Sequence, residues 1–560
     1  MRGTSGITST RRARHRGPVA AAVVVAALAL SGAVGASAYA APAPAASTAV
    51  STAAVHSPIV RTDDGLLGGT VSDAMDEYLG IPYAAPPVGA LRWEPPAPAS
   101  GWSGVREATE LGPHCAQPAS PYGIASTSED CLYLNVYAPP GASEHSRLPV
   151  MVWIHGGAYN FGESDDFNPA PLVAHGIIVV TINYRLGALG FLADPSLAEP
   201  DGASGGAGVD AGDYGLMDQQ AALRWVQSNI AGFGGDRREV TIAGQSAGGL
   251  SVLAQVASPS AKGLFARAVV ESGSYELDQV TVAQAETADA GFATKAGCAS
   301  TVAADTAACL RALPVSTVLA DQNLVGYRPN LDPGLLPQTL RQVLDSGSYS
   351  HVPVLMGTNA DEYSLFVAQD QILDHLPPVS AANYLAYIEG SLGVSAQAAA
   401  AIAAQYPLSG YASPDLALTA VGTDGEFACN AETIENGLSS RAPVYGYEFS
   451  DPNAPQRYLP SVGFPYGAAH TSELSYLFDL TAPYPAQFTD AQQQLAAQMQ
   501  AYWTSFVKYG RPLALGSPWW PTYHTATHQV LSLNTPAPTR ETDFSTQHDC
   551  SFWDSASAAG

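Results

Sequence analysis

Short runs of β-branched and other apolar residues recur along the chain, at Val150 to Ile154, Ile177 to Ile182, Val240 to Ala243, Ala268 to Glu271, Val352 to Met356 and Val444 to Phe449. They read as buried strands. Helix-like stretches such as Asp218 to Asn229 and Ala247 to Val256 lie between them. Strand alternating with helix implies an α/β fold: a large, mostly parallel central sheet flanked by helices on both faces. Two Ala-rich segments, Leu277 to Asn330 and Pro377 to Pro407, are helical in tone and predict cap insertions over the C-terminal edge of that sheet. No fixed-period repeat is present and Pro- and Gly-rich loops are dispersed, so residues 58–560 are expected to form a single domain.

The first 40 residues have a different pattern. Arg11, Arg12, Arg14 and Arg16 precede an apolar run from Val19 to Leu30, and Ala38-Tyr39-Ala40 follows as an A-x-A cleavage site. This predicts a signal peptide over residues 1–40 and a secreted product. The run is too short for a membrane-spanning helix, which takes about 20 apolar residues, so no stable membrane anchor is expected. Arg11-Arg12 leaves twin-arginine export as the alternative route to general secretion. The Ala-, Pro-, Ser- and Thr-rich stretch 41–57 lacks an amphipathic period and reads as a disordered leader.

Composition narrows the function. With 46% hydrophobic and 13% charged residues, the 560-residue chain has ample apolar surface for a core. Its formal net charge of −26 argues against a nucleic-acid partner. Residues 1–40 carry five Arg and no acid, so their removal makes the remainder more acidic still. Six cysteines remain, Cys115, Cys131, Cys298, Cys309, Cys429 and Cys550. An even number in an exported protein implies disulfides, whose pairing spacing alone leaves open. There is no C-x-x-C and no H-E-x-x-H, so no metal site and no cofactor is expected.

The chemistry concentrates in Val240-Thr241-Ile242-Ala243-Gly244-Gln245-Ser246-Ala247-Gly248-Gly249, a G-x-S-x-G motif between a strand and a helix. That is the context of a nucleophile elbow, in which Ser246 sits on a strained tight turn. A serine hydroxyl needs a base, and the base an acid to orient it. His470, in a Gly/Ala loop after the strand ending near Phe449, is the best base; His351 immediately precedes a strand and the candidate acids. Asp361 and Glu362 both follow the strand near Met356, and position alone favours neither. The turn His155-Gly156-Gly157-Ala158 after a strand can present backbone N–H groups to an oxyanion, with His155 bracing the loop.

Taken together these motifs resemble the type-B carboxylesterases, a family of α/β-hydrolases that includes bacterial para-nitrobenzyl esterases. Further matching segments are Tyr78 to Ala84, Pro86 to Gly89, Arg92-Trp93, Glu129 to Val136, Asn183 to Gly187, Asp218-Gln219-Gln220, Trp225-Val226, Phe233 to Asp236 and Cys550 to Trp553. The resemblance implies an α/β-hydrolase fold and a secreted serine carboxylesterase acting on a small-molecule ester. It assigns the triad to Ser246, Glu362 and His470, with Ser246 Oγ within hydrogen-bond reach of His470 Nε2. It assigns the oxyanion donors to the amides of Gly157, Ala158 and Ala247. It also implies the disulfides Cys115 to Cys131, Cys298 to Cys309 and Cys429 to Cys550, and the ion pairs Arg92 with Glu129 and Arg185 with Asp218. A lipase of longer-chain glycerides and a non-catalytic binding protein of the same fold are the competing readings. Two features depart from the family pattern. Ala158 and Gln245 stand where many relatives have Gly and Glu, and no Trp lies between Cys115 and Cys131, which weakens a cholinesterase reading.

Overall fold

The computed structural model describes residues 58–198, 212–324 and 326–557. The expected signal and leader, residues 1–40 and 41–57, lie outside the described residues. An eleven-stranded sheet runs through the molecule. In chain order its strands are β1 (Thr70–Val71), β2 (Asp76–Pro82), β3 (Tyr133–Ala138), β4 (Leu148–Ile154), β5 (Ile178–Ile182), β6 (Gly235–Gln245), β7 (Arg267–Glu271), β8 (Val354–Asn359), β9 (Val444–Phe449), β10 (Val530–Leu533) and β11 (Thr539–Glu541). Their order across the sheet is β11-β10-β9-β8-β7-β6-β4-β5-β3-β2-β1. The stretch from β10 through β5 is parallel, and the strands at either edge are antiparallel.

Consecutive apolar residues form these central strands because both faces are covered. Along β4, Val150, Val152 and Ile154 enter one core while Met151 and Trp153 enter the other. The first core receives helices α1 (Tyr214–Asn229), α2 (Ala247–Ala257) and α3 (Cys429–Ser439) through Leu223, Leu250 and Ile434. The second receives α4 (Asp490–Tyr509) through Met499, Trp503 and Phe506. Each of these large side chains contributes about 1.5 to 3 kcal/mol by leaving water.

The strand read as Val352 to Met356 runs instead from Val354 to Asn359, because Pro353 has no N–H to give to the ladder. The one read as Val240 to Ala243 extends back to Gly235 through the polar residues Asp236 to Glu239, which an apolar pattern does not reveal. Both expected cap segments are helical. Leu277 to Asn330 carries Val282–Asp289, Ala303–Ala312 and Val315–Asp321, and Leu324 O accepts from Asn160 Nδ2 in the turn after β4 (2.9 Å). Helices Tyr384–Leu392 and Ala396–Gln405 pack in a third core with Phe427 and Ala469.

All three implied disulfides are present, with Cα to Cα distances of 4.9, 5.4 and 5.1 Å for Cys115–Cys131, Cys298–Cys309 and Cys429–Cys550. They span 16, 11 and 121 residues. Chain entropy gives ~3 kcal/mol for a 15-residue loop and ~4.7 for a 100-residue one. The Cys429→Ser/Cys550→Ser variant is therefore expected to melt lowest of the three double Cys→Ser variants in a thermal scan. An equal melting point among the three would refute the loop-length ranking.

A second tie holds the same C-terminal segment. His548 is buried, with Nδ1 2.5 Å from Asp424 Oδ1 and Nε2 2.8 Å from Glu448 Oε1. Burial pulls its pKa down, but the hydrogen bonds and charges of these two carboxylates outweigh burial and raise it to about 10. The folded value lies above the ordinary value of about 6.5, so the clamp's contribution is full below pH ~6.5 and is lost as pH rises toward ~10. The gap in melting temperature between wild type and His548→Gln should accordingly narrow on going from pH 6 to pH 10. A gap independent of pH would show that His548 is not held as an imidazolium.

Candidate active site

Ser246 joins β6 to α2 with φ 56° and ψ −124°, a left-handed backbone that L-residues adopt only when the surroundings enforce it. Its neighbours explain how. A Cβ at Gly244 would lie 2.5 Å from Gly248 C, and a Cβ at Gly248 would lie 2.0 Å from Ile154 O, so only glycine lets the elbow close against β4. The Ser246 amide donates to Glu271 O on β7 (2.9 Å), which fixes the turn to the sheet. Ser246 itself is half-buried.

His470 is 3% exposed and lies in the loop 467–471. Its Nδ1 is 2.6 Å from Glu362 Oε2, so Nδ1 carries the proton and donates it to the carboxylate. Glu362 is fully buried, and its other oxygen accepts from Thr358 Oγ1 and from the Asn359 amide, both at 2.8 Å. Asp361, the alternative that position left open, does not meet the imidazole. Its Oδ2 accepts from the Ala468 amide (2.9 Å) and its amide donates to Ala468 O (3.0 Å), so it pins the loop that carries His470. Phe366 and Phe427 pack on the imidazole ring with centroids 5.1 and 5.3 Å away.

The expected hydrogen bond from Ser246 Oγ to His470 Nε2 is not formed. Among the described residues Ser246 Oγ has no hydrogen-bond partner, and His470 Nε2 instead accepts from the Gln245 side-chain amide at 3.2 Å. The imidazole has one acceptor lone pair on Nε2, which the Gln245 carboxamide occupies in the unliganded state. Such contacts commonly tighten only once substrate is bound.

The turn after β4 has three successive residues with positive φ, Gly157 (99°), Ala158 (52°) and Tyr159 (59°). Among the described residues the amides of Gly157, Ala158 and Ala247 donate to no protein acceptor. That of Ala247 opens α2, where the helix dipole adds partial positive charge. His155 braces this turn: Nδ1–H donates to Gly156 O (2.8 Å), the ring stacks on Tyr184 at 4.4 Å, and Tyr184 Oη donates to His155 O (2.8 Å). Burial lowers its pKa to about 4, leaving it neutral.

Both implied ion pairs form, each as a fork. Arg92 Nε and Nη2 meet Glu129 Oε1 and Oε2 at 2.6 and 2.5 Å, while Nη1 donates to Leu313 O (2.7 Å) in the first cap segment. Arg185 Nε and Nη2 each lie 2.8 Å from an Asp218 oxygen, and Asp218 is fully buried. The sequence did not single out Asn359, whose amide donates to Glu362, Glu473, which accepts from the Asn359 side chain, or Glu271, whose carbonyl accepts from the Ser246 amide.

The family model for the carboxylesterase family matches residues 56–553. The para-nitrobenzyl esterase of Bacillus subtilis (strain 168) is 36% identical over 499 residues, covering 85% of this chain and 94% of the relative. The human cocaine esterase is 33% identical over 529 residues, covering 89% and 91%. Among solved structures a PNB esterase superposes with a TM-score of 0.72 at 34% identity, covering 88% of this chain and 98% of that one. With its elbow, sheet order and disulfides accounted for, the chain belongs to the carboxylesterase family and is a carboxylic ester hydrolase of α/β-hydrolase fold.

Proposed function

We propose that the protein is a secreted serine esterase that hydrolyses small-molecule carboxylic esters through an acyl-enzyme on Ser246. The observation that carries this is the buried His470–Glu362 hydrogen bond beside a serine held in left-handed geometry at the head of α2. Substrate binding draws Nε2 from Gln245 to Ser246 Oγ. The hydroxyl attacks the ester carbonyl as its proton passes to His470 Nε2, and Glu362 steadies the imidazolium through Nδ1–H. The amides of Gly157, Ala158 and Ala247 receive the oxyanion. His470 then gives its proton to the departing alcohol, and a water repeats the sequence to free the acid and restore Ser246.

Three disulfides support folding in an oxidising compartment, in keeping with the signal-like pattern of residues 1–40. Among the described residues no helix is long and apolar enough to cross a membrane. The relatives' names point to varied small esters, para-nitrobenzyl esters and cocaine among them. Ala158 adds a methyl beside the scissile carbonyl, which disfavours esters of bulky tertiary alcohols.

Rapid mixing with excess para-nitrophenyl acetate tests the acyl-enzyme directly. A burst of para-nitrophenol approaching one equivalent per protein is expected if deacylation is the slower step. Mass spectrometry of the quenched enzyme should find the acetyl group on the peptide holding Ser246. Turnover with acetyl bound at another residue would refute the assignment.

A further inference from the structure

The end of α4 and the loop after it carry a surface unlike the rest of this acidic chain. Positions 491–540 hold no Asp or Glu, in a sequence with 50 of them. Helix α4 ends at Gly510, whose φ is 68°, and the chain turns back along its last turns. Between helix and loop lies an open groove of about 570 Å³, lined by His175, Lys508, Tyr509, Leu513, Leu515 and Trp519 among others, with no carboxylate in the lining. Leu515 and Tyr509 are the two most exposed large apolar side chains among the described residues, and Leu513 and Trp519 are exposed beside them. An apolar patch of this kind marks an interaction site.

Cations border the groove. Lys508 donates to His175 O, Arg511 opens the loop, and Arg540 of β11 donates Nε–H to Trp519 O (3.3 Å) with its guanidinium 5.3 Å from the Trp519 ring centroid. Among the described residues none of these three takes part in an ion pair, and Glu239, on the adjoining β6, is already paired with Arg267.

We propose that this face docks reversibly on an anionic lipid surface. A polyanion would engage the cations but leave Leu513, Leu515 and Trp519 in water, and a neutral apolar surface would leave the cations without countercharge. A lipid headgroup boundary satisfies both. Aromatic and leucine side chains enter the upper acyl region there while Lys and Arg meet the phosphates. The chain's net charge of −26 does not prevent this, because charges more than about 8 Å from the contact are largely screened at physiological salt. The face also has a definite direction. Arg267, the first residue of β7, donates to Val507 O (3.1 Å), so the groove lies toward the N-terminal edge of the central strands, whereas Ser246 follows the C-terminal end of β6, which runs parallel to β7. Docking therefore places Ser246 on the side away from the lipid, and it does not depend on the role read for that residue.

Co-sedimentation of the full chain with lipid vesicles tests the proposal. The protein should pellet with phosphatidylcholine vesicles that contain about one third phosphatidylglycerol, at least about tenfold less with phosphatidylcholine alone, and less again as salt rises toward about 1 M. Leu515→Ser/Trp519→Ala should weaken binding at least about tenfold, and Lys508→Gln and Arg511→Gln about fivefold each. Leu373→Ser/Leu376→Ser, a control at exposed leucines elsewhere, should bind as wild type does. All variants should melt with wild type, and turnover of para-nitrophenyl acetate should be the same with and without vesicles. Absence of pelleting, or equal weakening in the Leu373/Leu376 control, would overturn the proposal. So would loss of turnover on the vesicle, which would put the contact at the mouth of the active site. A dimer in lipid-free solution that Leu515→Ser/Trp519→Ala dissociates, or retention on heparin without vesicle binding, would overturn it in favour of a second copy or a polyanion.

Discussion

Replacing Ser246 with Ala is expected to lower kcat on para-nitrophenyl esters by at least about 10⁴-fold, while melting temperature and circular dichroism stay at wild-type values. Ala adopts the same left-handed backbone, since Gly244, Gly248 and the amide bond to Glu271 O set that conformation and none involves the hydroxyl. The residual rate would come from the proposed oxyanion amides and substrate binding, which Ser246→Ala leaves in place. A variant that keeps more than a few per cent of wild-type kcat would exclude Ser246 as the nucleophile. His470→Ala should lose a comparable amount, and the double variant should be no worse than either alone, because nucleophile and base act as one unit.

The largest expected effect on stability lies elsewhere, at Asp218. Arg185 is 3% exposed, and Asp218 accepts three hydrogen bonds from it, two from the guanidinium and one from the backbone amide (3.1 Å). Asp218→Ala leaves that cation buried with, among the described residues, Glu94 O (2.9 Å) and the face of the Tyr214 ring (5.2 Å) as its partners, and should cost about 3 to 5 kcal/mol. Arg341 and Asp278 form a comparable pair with 43% and 60% of their side chains exposed, and Asp278→Ala should change stability by no more than about 1 kcal/mol. Chemical denaturation of the two variants under one buffer measures the contrast. If Asp218→Ala were as mild as Asp278→Ala, Arg185 would have to reach water by a route that the native packing denies it.

The central strands were legible in the sequence because two buried faces demand apolar residues at successive positions, as in Ile178 to Ile182. The edge was not. In β2 the register shifts between Tyr78 and Ile81, with Gly80 at φ 62°, and a period-two pattern does not survive such a bulge. The elbow was legible because its glycines are local to Ser246. Glu362 and Asp361 could not be separated by position, since both face the loop 467–470, one through the imidazole and the other through the Ala468 amide. The contact of Gln245 with His470 was hidden for a related reason. It joins residues 225 positions apart, and nothing nearby in the sequence announces the partner. His548 stood out only as one more downstream histidine, because its partners Asp424 and Glu448 lie 124 and 100 positions away in the sequence.

The bridge from Cys429 to Cys550 also bears on when the enzyme can become active during its synthesis. The sheet is laid down almost in chain order from β1 toward β11, with only β4 and β5 exchanged, so a growing chain can add strands to one advancing edge. Ser246, Glu362 and His470 all precede Cys550 in synthesis, and the covalent loop that contains His470 stays open until that thiol arrives, 121 residues behind its partner. Covalent closure of that loop is thereby tied to a late oxidation step. Expression in an oxidising compartment is therefore expected to give more of the bridged protein than expression in a reducing one, as thiol titration of the purified chain would show.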